Sequence, residues 1–530
     1  MTHMEHHRRL HPQRHSRKAL SIAPGWHYNP CTKPRILSLL LHDKRLTVIV
    51  SENSYRGRDY TYEPKIIDDY STVYARVYDV SNPQDAKPLT LLSEAVIKGD
   101  YRSARSINSK GFVFSTSYIN TWPFSEGIYR SHPDYCGMNS TQYSTVAAEK
   151  ALNTTDDFAH QLLDELQLQL EGTCEDLFQI AALQSGDNED DNIGGQVLQN
   201  MVLISSFDMA ADEVETHTSG AFSSGYLSSV YASQDFAAAM NVGSNYNALT
   251  NSWDQSTFIL GFDLSGELPM PSAYAEVPGS PLNQYSADYY EGNFRIVTTK
   301  TQWSWNSVDT ERSRTTNILY ILGVPGDEEG AEMPVIGKTK HLGKPNESVF
   351  AVRLIQVSQT ADCDIGHHYS VCDSSLLFSP HPPQDVAYVV TFERTDPFYI
   401  IDLSNVTNPE MVGELQIPGF SSYLHPLKIN GVPLILGIGE DVSEETGRRI
   451  GVKVSLFDVS NSSDPIENAT FVDKGAYSAA GNDFYAFRYL PASQVSDTGE
   501  QTILACILTH CLWILFYEET HHPQERIHLV

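Results

Sequence analysis

Apolar residues along this chain fall into short runs separated by polar, turn-rich stretches, and the runs recur in a fixed order. RLTVIV (45 to 50), GFVFST (111 to 116), NFRIVTT (293 to 299), VAYVVTF (386 to 392) and VPLILGIG (432 to 439) are β-rich, and runs such as VAYVVTF are apolar on both faces. That filling suits strands sandwiched between neighbours. Each is followed by a second strand, in most cases ending in an acidic turn: YARVYDVSN (74 to 82), MVLISSFDM (201 to 209), STFILGFDLSG (256 to 266), NILYILGVPG (317 to 326), PFYIIDLSN (397 to 405) and KVSLFDVSN (453 to 461). In the fifth of these, Tyr399, Ile400 and Ile401 are β-formers, and Asp402 and Ser404 can accept from backbone N–H groups two positions on. Pro409 then fixes φ, and Met411 to Leu415 resume an extended run. The phrases lie about 55 to 60 residues apart where no insertion intervenes, enough for four short strands and their turns.

One region breaks the rhythm. Residues 122 to 198 predict an insertion made of a helical stretch and the acidic loop DNEDDN (187 to 192). Thr154 or Thr155 can cap the helix, Asp156 and Asp157 fall in its first turn, and Phe158, Leu162, Leu163, Leu166 and Leu170 share one face. That stripe reads as a surface docked on the parent domain, with a partner-binding groove as the sharper alternative.

The full chain has 530 residues, 36 Lys+Arg against 66 Asp+Glu, and a formal net charge of -30. Such a field argues against nucleic acid or an anionic membrane as partner. Seven cysteines are too few for a disulfide scaffold at this size. N-glycosylation sequons begin at Asn139, Asn153, Asn346, Asn405, Asn461 and Asn468, and with the cysteines they lean towards the secretory pathway or the cell exterior. No signal peptide is visible: the opening twenty residues carry charge and histidine but no apolar core. ILACILTHCLWILF (503 to 516) is too short for a membrane span and reads as buried strands.

The stretches 274 to 299 (YAEVPGSPLNQYSADYYEGNFRIVTT), 386 to 427 and 451 to 467 (GVKVSLFDVSNSSDPIE) resemble the secreted β-propeller domain proteins of bacteria and archaea, distantly related to WD-repeat propellers. The resemblance covers roughly residues 35 to 490 and implies architecture without an established catalytic set. The expected organisation is an all-β fold, a β-propeller of about seven four-stranded blades with a mainly helical insertion. It divides into a disordered basic, His-rich arm over 1–33, a propeller over 34–490 with the insertion at 122–198, and last-blade strands with a divergent tail over 491–530.

Candidate chemistry is sparse. Cys363, Asp364, His367, His368 and Cys372 in ADCDIGHHYSVCD are of metal-ligating type, but their spacing matches no zinc motif, and the plainer reading is a surface loop stapled by Cys363 and Cys372. His3, His6, His7, His11 and His15 can chelate metal loosely, and DNEDDN lacks the alternation and glycine of a calcium-binding EF-hand loop. Glu393, Arg394 and Asp396 follow an inner strand and suit either acid/base work or a structural ion pair. Trp303 and Trp305, with Tyr289 and Tyr290, suggest an aromatic platform or blade packing. The chain has no G-x-S-x-G elbow, no H-E-x-x-H and no P-loop. The leading functional expectation is an extracytoplasmic binding or interaction scaffold for a protein or polysaccharide. The alternative is a hydrolase or lyase, dependent on a divalent metal, acting on an extracellular polymer at the channel mouth.

Overall fold

The computed structural model describes residues 34–52, 67–68, 72–81, 89–120, 135–171, 200–247, 252–304, 313–326, 332–355, 385–392, 396–429, 432–443, 448–481, 483, 486–490, 501–507, 510–517 and 526–529. Their strands form seven four-stranded antiparallel meanders, the blades, numbered 1 to 7 along the chain. The first strands of the seven are Arg35–His42, Asp100–Ile107, Tyr226–Ala232, Ala287–Tyr290, Ser348–Ile355, Phe420–Ile429 and Phe487–Leu490. The first strands of blades 1 and 2, 2 and 3, 3 and 4, and 5 and 6 contact one another, as the inner strands of a propeller do. Blade 2 carries one extra short strand, Ile67–Asp68. The long central hairpins of blades 3 and 4 meet through Ser252 opposite Ser304 and Trp253 opposite Trp303, merging the two blades into one sheet. Among the described residues no helix is long and apolar enough to cross a membrane.

The core lies between blades, which explains the doubly apolar strands. In VAYVVTF, Ala387 and Val389 join the cluster shared with blade 4, while Val386, Tyr388 and Val390 join the one shared with blade 6. Each face of the strand therefore contributes to a different interface, at about 1.5 to 3 kcal/mol for each large side chain removed from water. Phe398 and Phe457 stack across the junction of blades 5 and 6 with centroids 4.7 Å apart.

The repeated acidic turn is built as its residues predict. Asp79, Asp208, Asp263, Asp402 and Asp458 each accept, through Oδ1, the backbone N–H two residues on, at 2.8 to 2.9 Å. The following residues add a second closure: Asn405 Oδ1 accepts from Thr407 N and Oγ1, and Asn461 Oδ1 from Ser463 N and Oγ. Two of the six sequons are thus part of the turn chemistry of blades 5 and 6. The same turns pack against glycines of the preceding blade. A Cβ at Gly337, in the outer strand of blade 4, would stand 2.0 Å from the Val406 carbonyl oxygen, and the same relation links Gly413 of blade 5 to Ser462 of blade 6. The phrase recurs because it closes its own strand and also seats on the neighbouring blade.

The helix departs from the sequence reading at its start. It spans Ser140–Gln169, and Asn139 rather than a threonine caps it: Asn139 Oδ1 accepts from Gln142 N, and Gln142 Oε1 accepts from Asn139 N. This reciprocal pair satisfies two backbone donors at once, and Thr155 becomes an interior residue whose Oγ1 donates to Ala151 O. The apolar stripe docks on blade 2, where Leu162 and Leu166 are buried against Ile67, Ile119, Met201, Leu203 and Phe222.

Candidate binding site

Every inner strand with a long pairing register carries a bulge near its start. In blades 1, 2, 3, 5 and 6 the register slips between Ile36 and Ser38, Tyr101 and Ser103, Leu227 and Ser229, Val349 and Ala351, and Ser421 and Tyr423. A bulge re-aims the extra residue. In blades 5 and 6 those residues are Phe350 and Ser422, and both line a pocket of about 490 Å³ at one end of the inner strands. Phe420, Tyr477, Asn283 and Glu440 complete the part of its wall that matters for chemistry.

The rings are held in place. Phe350, Phe392 and Phe420 form a triangle with centroid separations of 4.9 to 5.4 Å. Glu440 accepts from Arg449 Nε at 2.9 Å, Arg449 Nη2 donates to Ala476 O at 2.7 Å, and the guanidinium lies 5.0 Å from the Tyr477 ring centroid. Asn283 accepts from Tyr285 N, and Ser286 Oγ accepts from the backbone N–H groups of Leu282 and Asn283. These bonds shape the 3-10 turn Gln284–Ser286 that replaces the first half of the inner strand of blade 4.

Further along the inner strands lies a second group drawn from four blades. The Arg353 guanidinium lies 4.7 Å from the Tyr285 ring centroid, Tyr285 packs edge-on to Tyr423 at 5.8 Å, and Tyr423 Oη is 3.3 Å from His425 Nδ1. The His425 ring in turn packs on Phe487 at 4.8 Å. Burial, and then the charge of Arg353, push the His425 imidazole down to about 3, so it is neutral at ordinary pH. On the other side of the turn, Arg105 donates to Gln284 Oε1 at 2.6 Å and to Ser103 Oγ at 2.6 Å.

The residues singled out from sequence fall elsewhere. Cys363, Asp364, His367, His368 and Cys372 lie outside the described residues, as do Glu393, Arg394, the DNEDDN loop, the histidine arm and Trp305. Asp396 is described as backbone only, at the start of the strand Asp396–Asp402, with Ile417 as its register partner. Among the described residues no group of three or more His, Cys, Asp and Glu could hold a metal ion. Tyr289 stacks on Phe236 of blade 3 at 4.5 Å, and the Tyr290 ring centroid is 5.4 Å from the Arg295 guanidinium, so these two rings serve blade packing. Sequence reasoning missed the pocket because its walls come from five short segments spread over about 200 residues. The one local signal was GFSSY (419 to 423), where consecutive polar residues interrupt an inner strand.

The beta propeller domain family matches this chain over residues 12–358 and 383–496. An uncharacterised protein of Archaeoglobus fulgidus is 34% identical over 226 residues, which is 41% of this chain and 27% of that protein. An uncharacterised protein of Methanocaldococcus jannaschii is 33% identical over 212 residues, covering 40% of this chain and 26% of its own length. The chain thus spans about a quarter of the length of these curated relatives. Among solved structures, a lignostilbene dioxygenase of Pseudomonas brassicacearum overlaps 79% of this chain and 68% of its own at 7% identity and a TM-score of 0.30. The cobalt-substituted apocarotenoid oxygenase of Synechocystis overlaps 49% and 53% at 9% identity and a TM-score of 0.27. At these scores the overlap is too loose to transfer either fold detail or chemistry.

Proposed function

The chain belongs to the beta propeller domain family, and from that premise we propose that it is a binding scaffold whose inner-strand pocket takes a segment of polysaccharide. The observation that carries this reading is the pocket wall itself. Phe350, Phe420 and Tyr477 offer ring faces on which the C–H faces of a sugar can stack, and Asn283, Ser422 and the Arg449-held Glu440 offer hydrogen-bonding groups around them. Rings for contact area and a few fixed polar groups for orientation are the ordinary composition of a ligand site. Among the described residues the wall offers one carboxylate, Glu440, rather than the pair that glycoside hydrolysis uses, and binding is the simpler use of these side chains.

We place this activity outside the cytoplasm, because all six sequon asparagines (Asn139, Asn153, Asn346, Asn405, Asn461, Asn468) are exposed. The test is affinity electrophoresis of the full chain through gels containing galactan, mannan, xylan, pectate or alginate, alongside Tyr477→Ala and Phe420→Ala. Retardation by at least one polymer, lost in both variants and without release of reducing ends, is expected. Free migration in every gel, or unchanged retardation of both variants, would overturn the reading. Polymer cleavage would move it to the hydrolase.

A further inference from the structure

Glu440 sits directly opposite Phe420 on neighbouring strands of blade 6, and both line the pocket. Directly opposed residues of an antiparallel pair share a face of the sheet, so an aromatic ring and a carboxylate stand side by side in the wall. Only one of the two carboxylate oxygens is engaged. Oε1 accepts from Arg449 Nε at 2.9 Å, while no donor of the described residues reaches Oε2. Among the described residues the wall itself contains no Lys, Arg or His. Arg449 stands behind it, held by Glu440, by Ala476 O and over the Tyr477 ring. Lys453 donates to Pro418 O and meets Glu467, and Arg353 lies over the Tyr285 ring, outside the wall.

A carboxylate oxygen beside a ring suits a sugar, whose C–H face stacks on the ring while hydroxyl groups at its edge donate to the oxygen. The same oxygen is a poor neighbour for a uronate. A ligand carboxylate brought here would lose its water beside a like charge, with Arg449 already committed, in a chain whose formal net charge is -30. Resting on the reading of this pocket as a polysaccharide site, we infer that its ligand is an uncharged polysaccharide, whose hydroxyl groups donate to Glu440 Oε2 as a sugar ring stacks on Phe420. Uronate polymers are turned away by that carboxylate, so one residue supplies both the attraction and the exclusion on which specificity depends. Pairing with Arg449 fixes the carboxylate in place and leaves its second oxygen for the ligand.

Calorimetric titration of the full chain tests this, with oligosaccharides cut from galactan, mannan and xylan set against those cut from pectate and alginate. In about 0.3 M sodium chloride the repulsion between distant charges is screened, so what remains is the selectivity of the wall. At least one uncharged oligosaccharide is expected to bind saturably, and each uronate at least tenfold more weakly or not at all. Glu440→Gln keeps the side chain's shape and should weaken the uncharged ligand at least fivefold while narrowing the gap to the uronates. The comparison between oligosaccharides needs only the wild-type chain, so it stands if that variant does not fold. A uronate that binds as tightly as the best uncharged ligand, and is lost in Tyr477→Ala, would overturn this inference and leave the polysaccharide site standing. Wild-type affinity in Glu440→Gln would do the same. No binding of any oligosaccharide would overturn the polysaccharide site itself, and this inference with it.

Discussion

Gly413 in the outer strand of blade 5 faces the turn of blade 6 so closely that a Cβ there would stand 2.0 Å from the Ser462 carbonyl oxygen. Backbone therefore packs on backbone at this junction, and Gly337 against Val406 repeats the arrangement one blade earlier. Gly413→Ala should force the two blades apart and lower stability by about 1 to 3 kcal/mol. Gly326→Ala, with nothing within 4 Å, should be close to neutral. Urea midpoints of the two variants check this, and equal midpoints would show that the junction is slack.

The acidic turn contributes less on its own. Asp402 accepts from Ser404 N at an exposed site, so Asp402→Ala should lower stability by only about 0.5 to 1 kcal/mol. Asp402→Asn keeps the acceptor oxygen and should stay near wild type. A loss for Asn equal to that for Ala would assign the effect to charge rather than to the hydrogen bond.

Blades 4 and 5 are joined by a buried ion group. Arg295, 1% exposed, donates to Asp288 through Nε at 2.6 Å and through Nη2, and its Nη1 reaches Asp385. Burial opposes its charge, yet the two carboxylates hold its pKa above the ordinary guanidinium value, while burial pushes the Asp385 carboxyl up. Arg295→Met strands one buried and one half-buried carboxylate and should cost about 3 to 5 kcal/mol. Adding Asp385→Asn should recover part of that loss. A double variant no more stable than the single one would mean that Asp385 is not coupled to Arg295.

His425 ties stability to pH. Its folded value of about 3 lies below the ordinary histidine value near 6.5, so between these the unfolded chain binds a proton that the folded chain does not. Its contribution is fully present above pH 6.5 and is lost as pH falls towards 3, by about 1.4 kcal/mol for each pH unit. Because many carboxylates titrate in the same window, the difference between wild type and His425→Phe is the quantity to measure. The variant should lose less stability between pH 6.5 and 4.5 than wild type, and parallel curves would contradict the assignment.

These tests separate what a linear reading can reach from what it cannot. The strand runs, the Asp402-type turns and the blade repeat were legible because each is a local pattern with a local cause. The helix start was misplaced because Asn139 reads as a sequon in NST, and only Gln142 reaching back shows it to be a cap. The inner-strand site was illegible for a different reason. Arg105, Tyr285, Arg353 and His425 are separated by about 70 to 180 residues and meet only because the blades align their first strands. Bulges at Phe350 and Ser422, which turn those side chains into the pocket, follow from pairing register, and only the second leaves a local trace, the polar pair in GFSSY.

The most direct test of the binding account is deuterium exchange of the full chain with and without an oligosaccharide cut from the polymer that retards it most. Protection is expected in residues 282–286, 420–422 and 477–481, which border the pocket. Protection confined to the helix Ser140–Gln169 or to the outer strands would contradict the account, because the ligand would then sit on a surface the inner-strand bulges do not shape.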